Sequence, residues 1–524
     1  MSYIFDVCWR NYPDKKKRAL FLVLIFITVL RLWLSAAQMM RSVPLMGYDD
    51  MLFLVHAVNI AHGKWLGAYD QNTLVKGVFY PLFIAVNHYI GLPLLFTQQL
   101  LFVFACVVSI RAISPFVKSP IVLAVCYVIF LFNPGSYTSM ATTRVIRDFV
   151  CGSCALLAVS CMAAMYIRLF ARKPIRIVWP ILMGLAFAGA WLTREDSVWV
   201  LPFLVVVTIL CLILVLLRRK EATEPWAIAM LVLPFLIFGA YNLLVAGVNA
   251  YAYGIFITNE YAEPHFLSAY DALSRIDAGK SISKVTVTKA ARMQAYAVSP
   301  AFRELQPYLD GGKMAAFVDA NGETPGTLFT WNLRNAVAAA GYYKTPAAAS
   351  AYYQRLAAEL NDAFAKGKLR SYPQSISLGM LSPWRSQFLQ PTLDATLAGI
   401  RYNVTFRDCD PRPEQSDPFP AGIALYQAMT YDISNLDYAS YFTDPDKLPP
   451  VTGGEGITLD NGSSLYQKAS SLTGKRIGIL HRFTELYQIG FPVLFALSVL
   501  CYAYLTVCLI LTLRQKRMRR IGPS

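Results

Sequence analysis

The chain has 524 residues, of which 56% are apolar and only 15% charged, with a mean hydropathy of +0.43. Soluble proteins carry about a quarter charged residues, so this composition excludes an ordinary soluble domain and points to a helical membrane protein. The 48 basic against 32 acidic residues leave a formal +16, a balance that suits a nucleic-acid binder until the charges are located.

In chain order, predicted spans of about 20 apolar residues fall at 18–38, 93–113, 121–139, 149–170, 178–193, 198–217, 226–247 and 488–513. Short basic clusters punctuate them at 15–18, 172–176, 218–220 and 514–520. Starting inside and alternating, eight spans leave both termini cytoplasmic. That side then holds 19 basic and 4 acidic residues, and the opposite connections hold 6 of each. The asymmetry follows the positive-inside rule and predicts a multi-pass membrane protein with both termini cytoplasmic, and a bacterial-type plasma (inner) membrane is the expected location. A nucleic-acid interface needs its charge on one accessible folded face, so no nucleic-acid partner is expected. The first apolar run is too long for a signal-peptide core and is followed by further spans, so it reads as a retained anchor. Arg31, inside that run, is expected to snorkel toward the outer interface.

Residues 248–487 carry 22 basic and 22 acidic residues and are expected to form an exterior, periplasmic domain of helix-rich α+β type. Helical spacing covers about 264–278, 300–309, 327–341, 346–367 and 386–399, with Thr345 as a cap and Pro346 in the first turn of the fourth. Stretches 284–288 and 401–406 alternate as short strands do, and the Pro-, Gly- and Asp-rich 408–463 reads as a long loop region. The expected division is a membrane domain at 1–247, with its first exterior loop at 41–92, the domain at 248–487, and a last span with a basic tail at 488–524.

Two motifs have bland readings that outweigh the chemical ones. Cys151-x-x-Cys154 opens an apolar helix with no partner pair, so small helix-packing residues account for it better than a redox or zinc site. His56 and His62 flank one helix without a third matching His, so interfacial packing is favoured over metal ligation. The sequons at Asn403 and Asn461 matter only in a host that glycosylates such sites.

The informative feature is where the remaining acids lie. Asp49 and Asp50 open the first exterior connection, and a helix with Met51, Leu54, Val58 and Ala61 at helical spacing follows, ending near Gly63. Lys76-Gly77 to Leu82 leads toward the second span. Arg144, Arg147 and Asp148 lie between the third and fourth spans, and Thr193-Arg194-Glu195-Asp196 between the fifth and sixth. One aspartate could simply cap its helix, and each Arg–acid pair could merely mark a helix end. Three connections placing acids and arginines at one depth are harder to dismiss, because charges drawn toward a bilayer must meet polar partners. A carboxylate there can act as general base toward a hydroxyl or amine. Paired carboxylates can instead hold a divalent cation, so the cofactor stays open. Arginines can grip a phosphate and stabilise its charge as it leaves.

The order of these features resembles the GT-C class of integral-membrane glycosyltransferases, which includes protein O-mannosyltransferases, the aminoarabinose transferase of lipid A and the catalytic subunit of oligosaccharyltransferase. The resemblance covers about 1–247 and rests on Tyr48-Asp49-Asp50, His62-Gly63, Gly77 to Leu82, the Arg144 to Asp148 stretch, and Thr193 to Asp196 followed by Val200-Leu201-Pro202. It implies a polyprenyl-phosphate-linked sugar as donor, inversion at the sugar, and transfer to a cell-envelope acceptor at the exterior face. Asp49 would be the catalytic base, with Asp50 its neighbour or a metal ligand. Asp148 and Glu195 would position the acceptor or a cation, and Arg144, Arg147 and Arg194 would bind the donor phosphate. A metal is not implied, since members differ in metal dependence. Asp196 directly after Glu195 leaves open which acid of that pair acts. Rival readings are a lipid-linked glycan ligase or polymerase, a membrane transporter, and an assembly scaffold with a degenerate site.

Overall fold

The computed structural model describes residues 14–45, 49–117, 119–217, 226–279, 282, 284–311, 318–326, 328–372, 388–417, 419–435 and 464–521. Tyr48, the 218–220 cluster, Asn461 and the 436–463 part of the expected loop lie outside them. The fold is helical, and among the described residues there is no strand. Extended pairing is limited to two isolated bridges, Met40 with Ser434 and Ile276 with Ser371. The expected α+β character is therefore corrected to all-α.

The membrane part begins with α1 (Asp14–Ser35), α2 (Asp49–Ala61), α3 (Phe79–Ile90) and α4 (Leu94–Ile113). α5 (Pro120–Leu131) and the short α6 (Ser139–Thr142) follow, then α7 (Asp148–Phe170), α8 (Val178–Trp191), α9 (Val200–Leu217) and α10 (Ala227–Tyr253). Among the described residues, six helical stretches are long and apolar enough to cross a membrane: Arg18–Ser35, Leu94–Ile113, Asp148–Phe170, Ser197–Leu217, Ala227–Tyr253 and Leu472–Thr512. The chain is a multi-pass membrane protein. Two of the eight expected spans take other forms. The third is a pair, Pro120–Leu131 and Pro134–Thr142, bent by 52°. The fifth, α8, has 14 residues, about 21 Å of helix against a hydrocarbon core of about 30 Å.

α7 is the centre of the bundle, packing against α4, α8 and α9. Its small residues explain why: Ser160 meets Ser109 of α4 at 2.7 Å, and Cys151 and Cys154 are buried and free, facing α8. The packing role expected for this Cys pair is the one it has. Small residues let backbones approach where lipid offers no hydrophobic drive between helices. The same holds at Gly184 of α8, where a Cβ would lie 2.9 Å from Pro234 O of α10.

Arg31 departs from expectation. Its side chain does not snorkel but is buried at 1% exposure. Nε donates to Leu131 O at 3.2 Å, and Nη2 to Ser136 O at 3.3 Å, Ser136 Oγ at 3.0 Å and Gln99 Oε1 at 3.1 Å. The bend after α5 frees backbone carbonyls that lipid cannot satisfy, and a cation at the negative end of a half-helix satisfies them.

Beyond α10, α11 (Pro264–Ser274), α12 (Lys289–Val298), α13 (Pro300–Arg303), α14 (Gln306–Leu309), α15 (Leu328–Ala339) and α16 (Pro346–Ala365) enclose a separate core spanning 266–369. Thr345 caps α16 by accepting from Ala348 N at 3.2 Å, and Tyr353, Leu356 and Leu360 are buried as their spacing predicts. Neither predicted strand forms. Residues 284–288 are a loop that ends with Thr288 capping α12, and 401–406 lies largely in α17 (Leu389–Thr405), because the helical periodicity of 386–399 simply continues. α18 (Pro420–Thr430) lies in the expected loop region, and α19 (Ser464–Ile521) carries the last apolar stretch.

The segment after α17 returns to the membrane helices. Met40 N donates to Ile433 O at 2.9 Å, Asn435 N to Met40 O at 2.6 Å, and Asp417 N to Ser42 O at 2.8 Å. Tyr426 and Met429 of α18 complete the same core as Phe53 of α2 and Tyr80 of α3.

Candidate functional site

α2 opens at the two acids because an apolar periodic run follows them, and its free N–H groups favour negative charge there. The two carboxylates have different surroundings. Asp50 is fully buried and gripped by both arms of Arg144, with Nε to Oδ2 at 3.2 Å and Nη2 to Oδ1. Burial raises its carboxyl above the ordinary range, with Arg144 pulling the other way. Asp49 is 37% exposed and pairs with Lys76 Nζ at 2.8 Å, and Lys76 in turn lies 5.1 Å over the Trp331 ring of α15.

The second and third connections join the same network. Arg147, just before α7, donates Nη1 to Glu195 Oε1 at 2.5 Å and to Thr193 O at 3.2 Å, with its guanidinium 5.6 Å over Phe53. Glu195 Oε1 also accepts Gly77 N–H at 3.0 Å, which ties the third connection to the first. That tie needs glycine, since a Cβ at Gly77 would run into the Leu192 carbonyl. Arg194 holds Asp196 with two bonds of 2.7 and 2.8 Å and Asp148 with a third. This lowers the Asp196 carboxyl. Of the seven residues proposed from sequence, Asp49, Arg147 and Glu195 are tied through Lys76 and Gly77, while Asp50 with Arg144 and Asp148 with Arg194 form two further ion pairs whose acids lie within electrostatic reach of Tyr80.

Sequence reasoning missed the contribution of 406–435. Tyr426 of α18 is buried within electrostatic reach of Asp50 and Arg144. Asp432 Oδ2 accepts Leu95 N–H at 2.9 Å at the start of α4, and burial pushes its carboxyl up to about 7. Tyr80 lies within electrostatic reach of Asp50, Asp148 and Asp432. Tyr80 Oη, Tyr426 Oη and the Gln98 amide are buried here, with Tyr80 beside Gln98 and Tyr426 beside the Val43 backbone. Apolar spacing around Tyr80 disguises it as a core residue, and nothing in 408–435 signals a return to the first helices.

The first connection also carries the helical domain. Arg334 of α15, fully buried, donates Nε to Gln71 O at 3.1 Å and pairs with Glu260, whose own N–H donates to Leu74 O at 2.9 Å. His56 is buried, and burial pushes its imidazole down to about 4, so it stays neutral as a packing residue. Among the described residues no group of three or more His, Cys, Asp or Glu is placed to hold a metal ion.

Chemically, the arrangement offers three partly exposed carboxylates, Asp49 at 37% beside Lys76, and Asp148 at 43% and Asp196 at 62% on the 33%-exposed Arg194, next to the buried Asp50–Arg144 pair. No family model matches the chain, and comparison with characterised proteins and with solved structures returns no match.

Proposed function

We propose that the chain is a GT-C-type integral-membrane glycosyltransferase. It would move a sugar from a polyprenyl-phosphate donor to a cell-envelope acceptor at the exterior face of the plasma membrane. The observation that supports this reading is the gathering of acids and arginines from three inter-helix connections into neighbouring ion pairs at the helix ends, with Asp49 partly exposed. In the eight-span form of the proposal, α5 with α6 is one bent span, α8 is a short one, and both termini are cytoplasmic.

Asp49 is the proposed base. It takes the acceptor's proton as the acceptor oxygen or nitrogen bonds to the anomeric carbon. The bond from that carbon to the phosphate oxygen breaks, and the electron pair leaves with polyprenyl phosphate. Arg194 would receive that charge. Arg144 and Arg147, engaged with Asp50 and Glu195, would hold those carboxylates in register and add positive potential. Asp148, bound to Arg194, would set its orientation. Tyr80, Gln98 and Tyr426 add buried polar groups suited to hydroxyl-rich ligands.

The test compares wild type with Asp49→Asn and Arg194→Gln in proteoliposomes. Polyprenyl phosphate, the common leaving group whatever the sugar, is the binding probe. Asp49→Asn should bind it normally, and Arg194→Gln at least about tenfold more weakly, as befits the loss of one charge-assisted contact. With envelope extract supplying donor and acceptor, release of polyprenyl phosphate should fall about a hundredfold or more in Asp49→Asn. Near-normal release by Asp49→Asn removes the base assignment. Failure of wild type to bind the probe removes the whole reading.

A further inference from the structure

α17 is unlike every other long helix outside the bundle. It runs 17 residues, about 25 Å, and none of its side chains is buried. Leu389, Leu393, Leu397 and Ile400 recur at helical spacing along one side and are 55%, 48%, 63% and 47% exposed. The other sides carry Gln390, Thr392, Asp394, Arg401 and Asn403. An isolated helix of this length is marginal in water, so a bare apolar stripe calls for a covering phase.

The end of the helix shows which phase. Phe406, its C-cap, accepts Gln488 Nε2 at 3.1 Å and packs edge-on against Tyr487 and Phe491 of α19, with ring centroids at 5.8 and 5.1 Å. These residues lie inside the apolar Leu472–Thr512 stretch, where Val493, Leu494 and Leu497 are exposed as lipid-facing side chains are. Aromatic clusters of this kind mark the level where a span meets the headgroups. The apolar stripe of α17 is therefore continuous with a membrane-facing surface. Its polar residues rule out a spanning role, because they would leave unpaired groups in hydrocarbon.

We propose that α17 is an interfacial helix whose Leu389–Leu393–Leu397–Ile400 stripe lies in the lipid leaflet on the side of the helical domain. Asp394 and Arg401 cancel in charge, so attachment rests on apolar area and not on anionic lipid. The helix anchors the chain just before the 406–435 segment, which delivers Tyr426 and Asp432 to the membrane helices. This inference does not depend on the glycosyltransferase reading.

The test uses the full chain in phosphatidylcholine proteoliposomes, with the exposed Cys501 and the half-buried Cys508 replaced by serine and the parental signal subtracted. Single variants Leu393→Cys, Leu397→Cys and, on the opposite side, Ala395→Cys are labelled with an environment-sensitive fluorophore. A nitroxide on the lipid acyl chain should quench the labels at 393 and 397 at least threefold more than the label at 395. Replacing a third of the lipid with phosphatidylglycerol should change this ratio by less than twofold. Equal quenching at all three positions, weak or strong, overturns the proposal. So does efficient disulfide formation between two copies at Leu397→Cys, which would make the stripe a dimer contact. A fourth variant, Ser350→Cys on α16, half-buried against Glu263, reports on packing within the helical domain and checks folding independently of lipid contact.

Discussion

Replacing Arg144 with Met tests the physical centre of the site. Asp50 is fully buried and its two oxygens are both held by Arg144, whose side chain is 21% exposed. Removing one partner of a buried pair costs about 3–5 kcal/mol, because the remaining charge has lost its compensation. Asp50 can escape part of that cost by taking up a proton. Without Arg144, burial and the neighbouring Asp49 both push its carboxyl further up. A carboxyl raised in the folded state favours folding below its unfolded pKa of about 3.9, and that contribution is lost as pH rises toward the folded value. The deficit of Arg144→Met against wild type should therefore be small near pH 4–5. It should grow with pH by at most about 1.4 kcal/mol per unit and level off in the full 3–5 kcal/mol range. Adding Asp50→Asn should recover most of the loss at neutral pH and flatten the dependence. Equilibrium unfolding in mixed micelles from pH 5 to pH 8, with the four proteins of the cycle, measures this. A deficit below about 1 kcal/mol, or one that does not change with pH, would refute the reasoning.

Arg31→Leu should destabilise by about 3 kcal/mol or more, since it strips donors from Leu131 O and Ser136 O inside the bundle. Thermal unfolding in detergent reads this, and an unchanged midpoint would restore a surface role for Arg31. Asp432→Asn should remove a pH response of the wild type. With its carboxyl pushed up to about 7, Asp432 stabilises the fold at pH 4 and loses that contribution by pH 7, at no more than about 1.4 kcal/mol per unit. Wild type and variant with parallel pH profiles would contradict this. Gly184→Val should force α8 from α10, where even a Cβ would lie 2.8 Å from Ile237 Cβ, and folded yield on size exclusion should drop several-fold. Gly152→Val, at a helix position with open space, serves as the tolerated control.

The apolar runs, the charge asymmetry and the capped helix at Thr345 were legible because each depends on local order alone. A bilayer sets the length of an apolar run, and a cap needs only its own first turn. The candidate acids could be singled out for a similar reason: charges beside apolar runs are costly enough to be conspicuous. Their pairing could not be read. Which arginine takes Asp50, and that Glu195 reaches back to Gly77, depends on how connections separated by about a hundred residues meet in space. Arg31 shows the limit most plainly. In sequence it is a cation near a helix end, free to reach water; in the structure it closes the carbonyls left open by a bend in another helix. The 401–406 stretch failed as a strand for the opposite reason, because six alternating residues carry less information than the helical run leading into them.

Local order along the chain is enough to make this a multi-pass helical membrane protein, to distribute its charge, and to set acids at its helix ends. These follow from the solvent each segment requires. Long-range packing closes Asp50 while leaving Asp49 partly exposed, and brings 406–435 back to supply Tyr426 and Asp432. It also decided that α17 stands with its leucines uncovered. These outcomes arise from long-range packing, where a residue's role is set by neighbours that no local pattern names.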